Sequence, residues 1–337
     1  MDFARFPRAR LCHCPTPLEP MENLSRLLGG PALYVKRDDC TGLATGGNKT
    51  RKLDFLMGEA LALGADTVIT QGAVQSNHVR QTAAAACKLG LETEILLERR
   101  VPDRADDYET TGNVFLDRLC GARIDFLPGG TDMAVASLDR AEQVRERGGK
   151  PYVIPGGGSN HVGALGYAHC ALELLYQASE TGLRIDYVVH GTGSGGTQSG
   201  LVAGFEGCNS GIKVYGVSVR QPEAKQQDLV HGLANEVADH LGVRTGVARD
   251  SVLVTDAYVG PGYGQPTPEM VDAVNLAARH EGLLLDPVYS GKGMAGLIGL
   301  IRDGVFAKDE NVVFLHTGGS AALFAYQDVL LSRPPGM

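Results

Sequence analysis

The chain reads as an α/β protein of two lobes, each a mainly parallel sheet covered by helices. Short β-branched runs alternate with longer helical patterns through most of the sequence. Strand, helix, strand repetition lays the strands side by side in parallel beneath helices on both faces. At 337 residues the chain is too long for one small core, so two lobes are expected. Glycine reaches 45 and tryptophan is absent, which suits many tight turns between elements.

Taken in order, a helix is expected to begin near Asn48 or Lys49, because Leu53, Leu56, Met57, Ala60 and Leu61 follow at helical spacing. Expected strands are Thr67–Thr70, Thr93–Leu97, Arg123–Leu127, Tyr152–Ile154, Asp186–His190, Val214–Val219, Val252–Val254 and Val312–His316. Helices are expected between them, including Asn77–Leu89, Ala136–Arg147, Gly163–Glu180 and Thr267–His280. Arg99–Asp107 reads as a charged loop, Gly156–His161 as a glycine-rich crossing between lobes, and Arg333–Met337 as a frayed tail.

Hydrophobic residues make up 43% and charged residues 21%, ordinary for a globular protein. A net charge of −8 argues against nucleic acid or an anionic membrane as the main partner. No apolar run approaches transmembrane length, and Met1-Asp2-Phe3-Ala4-Arg5 does not read as a signal peptide. The seven cysteines are scattered, odd in number and without a CxxC pair. Cys12-His13-Cys14 has no second ligand pair at a useful spacing, so no metal is expected, and the thiols read as reduced and the protein as cytoplasmic.

Ligands of parallel sheets sit at the carboxyl ends of strands, where loops meet helix N-termini. Six loops there carry chemistry. In Gly46-Gly47-Asn48-Lys49-Thr50-Arg51-Lys52, Asn48 can cap the following helix. Lys49 at its N-terminus feels an adverse dipole that depresses its pKa, as suits an amine that attacks a carbonyl. From this segment alone, a solvated lysine like Lys52 is the commoner case. Gly191-Thr192-Gly193-Ser194-Gly195-Gly196-Thr197 follows a strand and offers backbone N–H groups and hydroxyls as an anion cradle. It also contains GxGxxG, which raises dinucleotide binding, but no acid stands after Val219-Arg220 to hold a ribose. Ser76, Asn77 and His78 open a helix and can hold a carboxylate, or simply cap it. Tyr263 and Tyr289 lie in Gly- or Pro-rich loops, and Thr317 closes the last strand.

Together these loops resemble the pyridoxal-phosphate enzymes of the tryptophan-synthase-β-like fold (fold type II). Within that group the chain is similar to the branch of ACC deaminase, D-cysteine desulfhydrase and L-cysteate sulfo-lyase. The similarity runs from Arg5-Phe6-Pro7 to His316-Thr317-Gly318-Gly319. It implies a large cofactor-binding lobe of residues 1–50 plus 161–337, a small lobe of 51–160, and a homodimer. It also implies that Lys49 carries pyridoxal 5'-phosphate, that Asn77 bonds the cofactor's phenolic oxygen, and that Gly193, Ser194, Gly195, Gly196 and Thr197 bind its phosphate. Ser76 matches the residue that meets the substrate carboxylate, and Tyr263 and Tyr289 match two active-site tyrosines.

One departure matters. ACC deaminase has a glutamate after the second tyrosine, facing the pyridine nitrogen, where this chain has Ser290. A neutral hydroxyl makes a weaker electron sink, which disfavours cyclopropane opening and favours β-elimination of a good leaving group. The implied function is a carbon–sulfur lyase for a small sulfur-containing amino acid. Asp38–Thr45 leading into GGNKTRKL favours L-cysteate, giving pyruvate, sulfite and ammonium. The alternative is D-cysteine, giving hydrogen sulfide. A sulfonate needs a cation or several donors, and His78 and His161 are the candidates, while Ser76 and the amides around Asn77 hold the substrate carboxylate. Different classes still open are a nucleotide-dependent oxidoreductase and a binding protein without catalysis.

Overall fold

A computed structural model describes residues 1–102, 104 and 106–331. The tail Arg333–Met337 lies outside the described residues. The chain opens with β1 (Leu18–Pro20), α1 (Glu22–Leu28) and β2 (Ala32–Arg37), then enters α2 (Lys49–Ala62). A run of strands and helices follows: β3 (Thr67–Ala73), α3 (Asn77–Lys88), β4 (Glu92–Glu98), α4 (Gly112–Leu119), β5 (Arg123–Leu127), α5 (Met133–Glu146) and β6 (Pro151–Ile154). The remainder comprises α6 (His161–Thr181), β7 (Tyr187–Thr192), α7 (Gly196–Gly207), β8 (Lys213–Ser218), α8 (Glu223–Leu241), β9 (Val252–Thr255), α9 (Pro268–Glu281), α10 (Ser290–Arg302), β10 (Asn311–His316) and α11 (Gln327–Leu330).

Two sheets result. The four-stranded sheet, in order β5-β4-β3-β6, is wholly parallel. The six-stranded sheet, in order β1-β2-β10-β7-β8-β9, is parallel except for its edge strand β1. The smaller sheet is built from one continuous stretch of chain, and the larger from the segments on either side of it.

Alternation along the central strands divides the core. Val188 of β7 and Val313 and Leu315 of β10 face one way, against apolar side chains of α2, α6, α7 and α8. Their neighbours Val189, Val312 and Phe314 face the other way, against α9 and α10. Residues one apart therefore serve opposite helix layers, as a doubly covered parallel sheet requires. In the smaller sheet Ile95 and Leu97 pack with Val79 and Val114 of the helices on one face, while Ile69 meets Ala141 and Val144 of α5 on the other.

β1 and β2 were not foreseen. At the end of β2, Lys36 is buried against Glu173. The thiols also differ from expectation: Cys12 and Cys14, whose Cα atoms lie 5.6 Å apart, are joined in a disulfide. The intervening His13 N–H bonds the Thr41 carbonyl and anchors that bend. Among the described residues no helix is long and apolar enough to cross a membrane.

Candidate active site

An open cleft of about 530 Å³ lies where the carboxyl ends of the two sheets face each other. Lys49, Ser76, Asn77, His78, Gly193, Ser194, Gly195, Thr197, Tyr263, Tyr289 and Thr317 line it, so most residues singled out in the sequence converge there.

Lys49 is the first residue of α2 and keeps one side toward the cleft. Its Nζ donates to Asn48 Oδ1 at 3.0 Å and stands 5.7 Å from the centre of the Tyr289 ring. Burial pushes its pKa down to about 8, against the pull of Asp286 and with the repulsion of Arg80. Desolvation, more than the helix dipole, is the leading cause. Asn48 holds the N-cap position but does not cap with its side chain. Its backbone is already helical, and the amide turns into the cleft, where Nδ2 donates to Thr197 Oγ1 at 3.0 Å.

Ser76 does cap α3, accepting from Val79 N, so its hydroxyl and the first amides of that helix share one wall of the cleft. Tyr263 and Tyr289 are joined through their hydroxyls at 3.0 Å with rings edge to face, and the Arg100 guanidinium covers the Tyr263 ring. Burial raises both phenols above their ordinary pKa, which keeps them protonated and able to donate at neutral pH.

Three expectations need correction. His78 was a candidate cation, but burial, with Lys49 and Lys52 nearby, drives its pKa well below the usual value. Thr70 Oγ1 donates to the Ile154 carbonyl and so receives the His78 Nε2 proton at 2.8 Å, leaving Nδ1 bare in the neutral ring. His161 does not line the cleft: it sits in the first turn of α6 with its ring against His240. Ser290 does not line it either; its hydroxyl donates to Asp286 Oδ1 at 2.7 Å. Asp286 also accepts from the amides of Val288, Tyr289 and Ser290, closing the α10 N-terminus, and burial raises its pKa.

Lys52 was read as solvated and is instead fully buried. Its Nζ donates to the Gly157 carbonyl and Ser159 Oγ, each at 3.0 Å, and no carboxylate pairs with it among the described residues. A Cβ at Gly196 would come within 2.9 Å of that amine. Lys52 therefore stands against the glycine loop at the head of α7, with Ser194 Oγ bonded to Ser159 Oγ at 2.7 Å. Burial, with the repulsion of Lys49, pushes the Lys52 pKa well below its ordinary value, so this amine beside a helix N-terminus holds a proton only when an anion joins it. The spacing from Lys49 that leaves it one turn along the same helix face was the signal available in the sequence.

Residues 9–318 match the family described as "Pyridoxal-phosphate dependent enzyme". The chain belongs to that family. A Klebsiella pneumoniae protein named D-cysteine desulfhydrase is 46% identical over 325 residues, covering 96% of this chain and 98% of that one. A solved structure described as an ACC deaminase homologue superposes with a TM-score of 0.89 at 38% identity, covering 98% of this chain and 97% of the other. The structure of an O-ureido-L-serine synthase, at 17% identity and a TM-score of 0.66 over 94% of both chains, shares the fold. This protein is thus a pyridoxal-phosphate-dependent enzyme of fold type II, in the group of ACC deaminase and D-cysteine desulfhydrase. The cleft fits the cofactor: an amine with a lowered pKa in its wall, and a glycine-rich helix start beside the buried Lys52 amine, which a phosphate would protonate and pair.

Proposed function

We propose that this protein is a carbon–sulfur lyase converting D-cysteine and water to pyruvate, hydrogen sulfide and ammonium. The observation that carries the reading is the 46% identity, over nearly all of both chains, to a D-cysteine desulfhydrase. It displaces the L-cysteate reading to second place. The uncharged His78 and the distant His161 also leave the sulfonate without the histidine cations expected for it.

In this reading the phosphate rests on the amides and hydroxyls of Gly193, Ser194, Gly195, Gly196 and Thr197, with Lys52 beside them. Asn77 would meet the phenolic oxygen, and Thr317 lines the same cleft and would help to hold the cofactor. When bound, pyridoxal phosphate supplies the electron sink for an amino acid losing its α-proton. Ser76 and the α3 amides hold the substrate carboxylate. Lys49 Nζ takes the α-proton as general base. Tyr263 or Tyr289 donates a proton to the sulfur as its bond to the β-carbon breaks.

The test is a panel of D-cysteine, L-cysteine, L-cysteate and ACC, with sulfide, sulfite and pyruvate assayed separately. D-cysteine is expected to give sulfide and pyruvate in equal amounts, with the highest kcat/KM. Faster sulfite release from L-cysteate would restore the sulfo-lyase reading. A homodimer belongs to the same proposal and is checked by light scattering.

A further inference from the structure

Asn113 is fully buried in the first turn of α4. Its Oδ1 accepts from Arg80 Nε at 3.2 Å, and its Nδ2 donates to the Gln75 carbonyl at 3.1 Å and to Asn77 Oδ1 at 2.9 Å. A guanidinium can only donate, and a backbone carbonyl can only accept. The Asn113 amide is therefore fixed from both sides. Gln75 is fixed in the same way: its Nε2 donates to the carbonyls of Tyr108 and Thr111, and its Oε1 accepts from the Asn113 N–H. The atom of Asn77 that meets Asn113 Nδ2 must then be the acceptor Oδ1.

The amino group of Asn77 is consequently turned away from α4. It has no acceptor among the described residues, and a Cβ at Gly319 would come within 2.6 Å of it. Asn77 lines the cleft at the start of α3, next to the loop that carries Thr317.

We infer that Asn113 is a positioning residue that sets the amide of Asn77, so that the cleft meets a hydrogen-bond donor at this point and selects an oxyanion. The inference rests on the proposed contact between Asn77 and the cofactor's phenolic oxygen. Without Asn113 the Asn77 side chain is free to rotate and present its carbonyl, which repels that oxygen.

Asn113→Asp tests this with almost no change of shape. One carboxylate oxygen keeps the Arg80 contact, while the other faces Asn77 and forces its amide to turn. In the holoenzyme, the variant is expected to raise the pH midpoint of the cofactor's visible band by about one pH unit, because a donor that stabilised the anionic oxygen is lost. Cofactor binding, measured by equilibrium dialysis, is expected to weaken about tenfold. In an Asn77→Ala background the same substitution should change either readout by less than about twofold. Asn113→Ala, which removes the donor without adding charge, should move both readouts the same way by a smaller factor, and carries the test if the first variant does not fold. Band and affinity unchanged in both Asn113 variants, while Asn77→Ala shifts them, would overturn the inference. So would an equal effect in the two backgrounds. If Asn77→Ala alone shifts neither readout, the contact of Asn77 with the cofactor is wrong and the inference falls with it.

Discussion

Glu173 on α6 closes a buried cluster of two cations and two carboxylates directly beneath the first turn of α2. Its carboxylate accepts from Lys36 Nζ at 2.5 Å, from both terminal nitrogens of Arg51 at 2.9 Å, and from Thr16 N at 2.9 Å. Asp38 takes two further Arg51 bonds at 2.8 Å. Despite the burial that opposes it, hydrogen bonding and attraction from Arg51 and Lys36 hold the Glu173 carboxyl down to about 2, from an ordinary 4.5. At about 1.4 kcal/mol per pH unit, that difference is worth roughly 3 kcal/mol of folded stability at neutral pH. Glu173→Gln leaves the cluster with one uncompensated buried positive charge, for which a cost of about 3–5 kcal/mol is usual.

A depressed carboxyl stabilises the fold above its unfolded pKa and loses that contribution as pH falls toward the folded one. The penalty of Glu173→Gln should therefore hold from pH 7 to about 4.5 and shrink to about 2 kcal/mol at pH 3.5. Urea unfolding of wild type and variant, with cofactor concentration held constant, measures it at the three pH values. A penalty below about 1 kcal/mol at pH 7, or one that stays constant down to pH 3.5, would refute the reasoning.

Three further outcomes are expected. With a folded pKa of about 8 the Lys49 amine becomes neutral as pH rises through that value, so cofactor uptake by apoenzyme, followed by absorbance, should accelerate with pH and level off above it; a rate still climbing at pH 10 would contradict the assigned burial. Lys49→Ala should lower sulfide release by at least about 100-fold, the usual span of a lost acid–base group, and wild-type turnover would exclude it as the base. Gly319→Ala should weaken cofactor binding in dialysis, because at φ +104° its Cβ would press within 2.6 Å of Asn77 Nδ2 and 2.7 Å of Asp286 Cβ; unchanged affinity would show that this loop yields freely.

What the sequence determined by itself was local. Hydrophobic period set the start of α2 near Asn48 or Lys49, the succession of most strands and helices along the chain and the loops that follow the strands, since each depends on neighbours a few positions away. Side-chain state was decided at longer range. Lys52 and Lys49 share one helical turn, yet Lys52 became a buried amine with no carboxylate partner, its pKa pushed well down, because Gly157 and Ser159, about a hundred residues on, close over it. His78 lost its charge to burial between β3 and two lysines, and Ser290 gave its hydroxyl to Asp286. Likewise β2 can bury Lys36 only because Glu173, from the middle of α6, pairs with it. Charge and hydrogen-bond partners in a cleft depend on which distant segments exclude water from it, and only the tertiary structure brings those segments together.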